Sequence, residues 1–417
     1  MRELRSEVIN RWRDVPARVA VGAGAGLSAA VAAVFAAITT HGSHRVWGVL
    51  AAFGYLAAAA TCCRAGYSAI MALRVAGIGA ALLPAAALIG ARVRQPEVDV
   101  VERSAQVLLN TGSPYLDSVT HIPDVNPYLP GMAVFGLPRQ LLGDSILGDA
   151  RLWFFAVFVA ALATAAVLAR AVPSRAPVPS AGSVAALLGT PSAVVWAVLA
   201  CPVVALPVAV GGHDLPVVGL LCLGLVLAAR SQAVPAGFVL GVAAVLKQSA
   251  WPGVAVSVAL LVVLGGAAAA WRCAVIAVAA LAAVLLLVLL GPTGSSMLRQ
   301  IAGFPLAVSK IVSPATNPTP GVLLASAGPT AHFAGLALLA GAVLGLAVWL
   351  LRSRPRDLST AVTFLALAET IAALVLPTSR WGYAVYPAVL LLWAASLPMP
   401  LPRLSAAKRH PTSHPHR

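Results

Sequence analysis

Apolar runs of roughly 18 or more residues recur along the whole of this 417-residue chain, and a run of that length has few homes other than a bilayer. With 60% hydrophobic and 10% charged residues, the sequence reads as an all-α polytopic membrane protein. About twelve spans are expected, near 17–41, 46–63, 70–91, 151–171, 183–200, 215–229, 233–247, 252–270, 273–291, 331–351, 358–376 and 383–400. The charged lead before the first run argues against a cleaved signal peptide and for a retained first helix.

The cations give the expected orientation. Arg2, Arg5, Arg11, Arg13 and Arg18 precede the first run, and Arg403, Lys408, Arg409 and Arg417 follow the last, so both termini are expected in the cytoplasm. The same alternation puts Arg64, Arg170, Arg175, Arg230, Arg272 and the Arg352, Arg354, Arg356 group inside. The net charge of +15 is therefore a topological signal, and nucleic-acid binding is not expected. One integral-membrane domain over 1–400 and a basic, disordered cytoplasmic tail over 401–417 are expected.

The thirteen carboxylates are distributed unevenly. Glu97, Asp99, Glu102, Asp117, Asp124, Asp144 and Asp149 fall in one extracytoplasmic loop over 92–150, while Glu3, Glu7 and Asp14 precede the first span, leaving Asp214, Asp357 and Glu369. On the same side the topology places Gly211–Asp214, the Lys247–Gln248 turn, a second loop over 292–330, and 377–383. Each alone reads as a solvated connector; together they form a candidate external cavity.

Other patterns carry less. Cys62, Cys63, Cys201, Cys222 and Cys273 show no ligand or disulfide spacing and read as packing residues. Gly22, Gly24 and Gly26 open a span with no preceding strand, which argues against dinucleotide binding. Like Gly237 and Gly241, they suit close helix packing. No repeat of fixed period is evident. His213 with Asp214 suits a sugar hydroxyl better than a metal, since one His and one Asp make a poor site, and metal-independent chemistry is expected.

The stretch Asp99-Val-Val-Glu-Arg-Ser-Ala-Gln-Val-Leu-Leu-Asn-Thr-Gly-Ser-Pro-Tyr115 resembles the first external loop of the actinobacterial polyprenyl-phosphate-mannose-dependent mannosyltransferases, glycosyltransferase family 87 of the GT-C superfamily. Asn126-Pro-Tyr-Leu-Pro130, Gly212-His-Asp-Leu-Pro216, the helix from Gly237 to Lys247, and Pro377-Thr-Ser-Arg-Trp-Gly-Tyr383 are similar to later family segments and occur in the family's order. The resemblance implies a GT-C-like bundle with a large first extracytoplasmic catalytic loop in the plasma membrane. It implies transfer of a sugar, mannose first, from a polyprenyl-phosphate carrier to a lipid or glycan acceptor such as a cell-envelope glycolipid, with inversion. No cofactor beyond the donor lipid is implied.

Such a transfer needs a base for the acceptor hydroxyl and cations near the departing phosphate. The resemblance makes Asp99 the expected general base, with Glu97 the alternative; for either, the plainer reading is an acid at a helix start. Lys247, Arg299, Lys310 and Arg380 are the phosphate candidates, set against interfacial snorkelling, and Lys247 ranks first. Tyr115, Tyr128, Trp251, Trp381 and Tyr383 suit stacking on a sugar or anchoring at the headgroups. Glu369, inside a span, is either functional or a structural carboxylate paired with Arg74. A secondary transporter or lipid flippase is the alternative function and predicts broken helices with midplane charges. A membrane scaffold, with dispensable loop acids, is the third.

Overall fold

The computed structural model describes residues 15–172 and 180–397. The N-terminal Arg and acid positions through Asp14, Arg175 and the basic tail over 401–417 lie outside the described residues. Among the described residues the chain is helical, with one isolated bridge between Pro16 and Ser183.

Among the described residues seven helices are long and apolar enough to cross a bilayer: α1 (Ala17–Ile38), α2 (Gly42–Cys63), α3 (Ala69–Gly90), α6 (Ala150–Ala169), α12 (Gly266–Leu289), α13 (Pro329–Arg352) and α14 (Leu358–Val375). Between α3 and α6 lie α4 (Pro96–Thr111) and α5 (Leu137–Leu142), so the 92–150 segment is itself largely helical. The remaining numbered helices are α7 (Pro191–Leu199), α8 (Pro202–Val210), α9 (Asp214–Ala229), α10 (Ala233–Leu246), α11 (Trp251–Leu264) and α15 (Val385–Ser396).

Helix α9 is the axis of the bundle. It is apolar all round and buried on nearly every side, as expected for a helix enclosed by others. Helices α6, α10, α11, α14 and α15 pack around it. Gly219 lets α6 approach closely, since a Cβ there would lie 3.0 Å from the Phe158 carbonyl. Its single acid, Asp214, opens the helix, where a carboxylate complements the N-terminal dipole.

Two expected spans are drawn differently. The run expected at 183–200 is split into a short helix, Val184–Leu188, and α7 (Pro191–Leu199), which then bends by 72° into α8. Cys201 precedes Pro202 and is held extended, which breaks the helix there. The run expected to begin at 273 starts at Gly266, whose φ of +80° makes the corner after α11; Arg272 therefore sits within α12 rather than between spans.

The two ends of the bundle differ in chemistry. At one end Arg18 donates to the carbonyls of Cys62 and Arg64, Ala17 pairs with Gly182, and Arg230 donates to Leu168. At the other, the 92–150 segment meets residues near 211–214, 247–249, 293–301 and 380–386.

Candidate functional site

A buried ion pair forms the floor of that second end. Lys247 Nζ donates to Asp214 Oδ1 at 2.5 Å, and both side chains are 8% exposed. Lys247 ends α10 with an extended backbone, and this turn aims its side chain inward toward α9 instead of out to lipid headgroups. The Tyr386 hydroxyl donates to the same Asp214 oxygen at 2.6 Å and lies 2.5 Å from Ser249 Oγ. An ion pair this deep is held by such extra hydrogen bonds, because its Coulomb attraction must offset the loss of hydration of both ions.

Aromatic rings wall the pair. Lys247 Nζ stands 4.6 Å from the Tyr383 ring centre and 5.9 Å from that of Tyr128, a cation enclosed by π faces. The His213 ring lies 4.4 Å from Tyr128. Lys247 Nζ also donates to His213 Nε2 at 3.1 Å. That nitrogen therefore accepts, the imidazole is neutral with its proton on Nδ1, and the 3.4 Å approach of Nε2 to Asp214 Oδ2 is not an ion pair. Burial pushes the His213 imidazole down to about 4, with Asp214 opposing the shift and Lys247 adding to it. Burial holds the Tyr128 phenol well above its usual range, reinforced by the charges of Glu97 and Asp214.

A second ion pair stands at the mouth. Arg380 Nη1 donates to Glu97 Oε1 at 2.5 Å, with side chains 38% and 22% exposed. Both charges act on Tyr128 and His213, so mouth and floor belong to one site. The start of α4 is seated by Gly211, whose φ of +111° and missing Cβ admit Val98; a Cβ there would fall 2.3 Å from the valine. Sequence-distant segments thus place two carboxylates, two cations, a neutral imidazole and three tyrosines together.

The sequence model of glycosyltransferase family 87 matches residues 126–377, more than half of the chain. The chain belongs to glycosyltransferase family 87. Among solved structures, ArnT from Cupriavidus metallidurans bound to undecaprenyl phosphate is similar at 18% identity, with a TM-score of 0.42, over 73% of this chain and 55% of that one. The chain therefore spans little more than half the length of that structure. No curated protein matches the sequence.

Within this family 87 protein the residues singled out from sequence separate into two groups. Lys247, His213, Asp214, Tyr128, Tyr383, Arg380 and Glu97 come together as described. Asp99 does not join them. It is 51% exposed, pairs with Arg94 at 2.5 Å, and lines a cavity of about 290 Å³ with Arg94, Glu102, Arg103, Gln106, Arg139 and Gln140. Glu102 is the hub there: its Oε2 meets Arg94 at 2.8 Å and Arg139 at 3.6 Å, while Oε1 accepts from Ala150 N–H. Burial raises the Glu102 carboxyl above the usual range, against the pull of Arg94. Arg139 continues the chain to Asp144, and Asp149 caps α6 while holding Arg151.

The other expected residues lie elsewhere. Arg299 and Lys310 are exposed and make none of the site's contacts. Next to Arg299, buried Gln300 accepts from Asn126 N–H, so this stretch supports the loop through the amide. Tyr115 is buried and donates to the Tyr128 carbonyl at 2.7 Å, buttressing the site wall from behind. Trp251 and Trp381 are exposed, and Trp251 donates to Ala244. Glu369 does not pair with Arg74, which is exposed on α3; it is 5% exposed, lacks a hydrogen-bond partner at Oε1, and lies within Coulombic range of Asp214 and Lys247.

Sequence reading missed Tyr386 and Ser249. Tyr386 lies three residues beyond Tyr383, a spacing that places both on one helical face, and Ser249 lies two beyond Lys247. Those offsets were the available signals.

Proposed function

We propose that this protein transfers a sugar, mannose in the first instance, from a polyprenyl-phosphate donor to a hydroxyl of a lipid or glycan acceptor, with inversion and without a metal. The observation carrying this reading is the convergence of the Glu97–Arg380 and Lys247–Asp214 pairs on one aromatic-walled site within a family 87 chain. The basic end of the bundle is assigned to the cytoplasm and the site to the extracytoplasmic face.

In this mechanism Glu97, rather than Asp99, is the general base, because Glu97 stands beside the cations that a lipid phosphate needs. The donor phosphate takes up the Arg380 guanidinium in the bidentate manner that arginine offers to phosphate. Glu97, released from that pair, accepts the proton of the acceptor hydroxyl. The acceptor oxygen bonds to the anomeric carbon as the bond from that carbon to the phosphate oxygen breaks, and the electron pair leaves on polyprenyl phosphate. Lys247 supplies fixed positive charge from beneath, and the tyrosines and neutral His213 line the sugar's place.

The test is transfer from labelled polyprenyl-phosphate mannose in membranes carrying the protein, with Glu97→Gln and Lys247→Ala compared against the unsubstituted chain. Lys247→Ala is expected to lose on the order of 10²-fold in donor use. A Lys247→Ala protein that inserts and transfers normally ends the phosphate role. A reporter placed near Ser118 and another after Arg417 test the sidedness. The transporter or flippase reading is favoured by the 72° break and intramembrane Glu369. It replaces transferase if labelled donor crosses the bilayer intact with no product.

A further inference from the structure

The N-terminal hairpin α1–α2 lies wholly outside the family-matched residues 126–377, yet it reaches the mouth of the site. His44, in the first turn of α2, lies 2.7 Å through Nε2 from the Gln95 side-chain amide. Gln95 caps the start of α4, its backbone N–H donates to Val210 at the end of α8, and its carbonyl accepts from Val98. One residue therefore ties together the hairpin turn, the helix that presents Glu97 two positions later, and the strand of backbone leading to His213 and Asp214.

A second, independent contact fixes the same hairpin. One turn along α2 from His44, Trp47 Nε1 donates to the Ala80 carbonyl at 2.8 Å. Ala80 lies in the π-helical turn Ile78–Leu82 of α3, where the widened ladder frees backbone groups for outside partners. Farther along, Gly54 and Gly79 touch backbone to backbone: a Cβ on Gly54 would come within 2.5 Å of the Gly79 carbonyl carbon. So α2 is locked in register against α3, and α3 leads directly into Gln95. The hairpin turn is braced as well, by Arg45 donating to the Thr39 carbonyl and by the His41 and Phe35 rings on His44.

We infer that His44 is a positioning residue for the transfer step: through Gln95 it sets the start of α4 and hence where the Glu97 carboxylate stands relative to Arg380. The inference rests on the reading of Glu97 as the base. A displacement of about 1 Å at a reacting group is enough to cost up to 10²-fold in rate, so a single side-chain link outside the reacting shell has a measurable effect.

The experiment uses the full-length protein, purified in detergent, with polyprenyl-phosphate mannose as donor. His44→Ala is expected to lower kcat roughly 10- to 100-fold while the donor KM stays within about twofold and the thermal midpoint is unchanged. His44→Gln, whose amide oxygen can accept from Gln95, should recover most of kcat. Gln95→Leu should match His44→Ala, and the double variant should fall no further than the more impaired single, because both break one link. Phe53→Ala, on the lipid-facing side of α2, should leave kcat as it was. A normal kcat in His44→Ala, a loss that tracks thermal destabilisation, or full additivity in the double variant overturns the inference. If Glu97→Gln retains activity in the same assay, the base assignment fails and the inference with it. If Glu97→Gln is inactive while His44→Ala is normal, the positioning role alone fails.

Discussion

Two charge clusters meet helix α4 from opposite faces. On one, Glu97 joins Arg380, Lys247 and Asp214, partners that lie more than a hundred residues away in sequence. On the other, Asp99, Arg94, Glu102, Arg139 and Asp144 form a chain of alternating charge confined to about fifty residues of one loop. The difference follows from helical geometry. Residues two apart point about 200° from each other, so Glu97 and Asp99 cannot serve the same site. Asp99, Glu102, Arg103 and Gln106 share the stripe spaced i, i+3, i+4, i+7. The dense local cluster knits the loop together, and the sparse long-range one gathers charges from segments far apart in sequence.

The largest expected effect separates the two faces directly. Glu97→Gln should lower transfer by roughly 10² to 10⁴-fold, with the protein still inserted and donor still bound. Asp99→Asn should cost no more than a few fold. The reverse ranking in a transfer assay would move the base to the outer face of α4.

Next comes the floor of the site. Asp214→Asn leaves Lys247 buried beside an uncharged amide, at a cost of about 3–5 kcal/mol. Thermal melts in detergent read this, and pairing the change with Lys247→Met should restore much of the loss. A melt unaffected by Asp214→Asn would mean that the pair is hydrated.

A pH effect of similar kind attaches to His213. Its imidazole titrates near 6.5 when unfolded and near 4 when folded, so between those values the unfolded chain binds the extra proton. Stability is therefore complete above pH 6.5 and falls as pH drops toward 4, by on the order of 3 kcal/mol. His213→Gln should flatten that acid limb; a limb of unchanged slope would assign it to other groups.

The outer cluster should respond more weakly. Glu102→Gln weakens the charge-assisted bonds of Arg94 and Arg139, and a loss of about 1–2 kcal/mol is expected, read as faster amide exchange in α4 and α5. Asp99→Asn, half exposed, should shift stability by less than about 0.5 kcal/mol, and a shift as large as that of Glu102→Gln would show that the chain of charges acts as one unit.

Much of this was legible in the sequence. Long apolar runs announced the membrane helices, the family motifs appeared in order, and Lys247, His213, Asp214, Tyr128 and Arg380 were singled out and stand together. Motif register alone left both Glu97 and Asp99 open, and which of them faces Arg380 depends on how α4 packs. Counting acids singled out the loop over 92–150, and one of its seven carboxylates, Glu97, reaches the cluster around Lys247. The turn between α1 and α2 was overlooked because a two-His, one-Arg connector carries no motif, and its link to Gln95 spans fifty-one residues.

By itself the sequence determined the membrane-helical class and the family, because hydropathy and the order of short motifs leave their mark along the chain. The tertiary structure alone decided which face of α4 looks inward, that Lys247 turns to Asp214 instead of to lipid headgroups, that Tyr386 meets Asp214, and that Gln95 meets His44. Those outcomes depend on how helices pack, and contacts between residues 33 to 172 positions apart, such as Lys247–Asp214 and Tyr386–Asp214, are fixed by that packing rather than by any pattern along the chain.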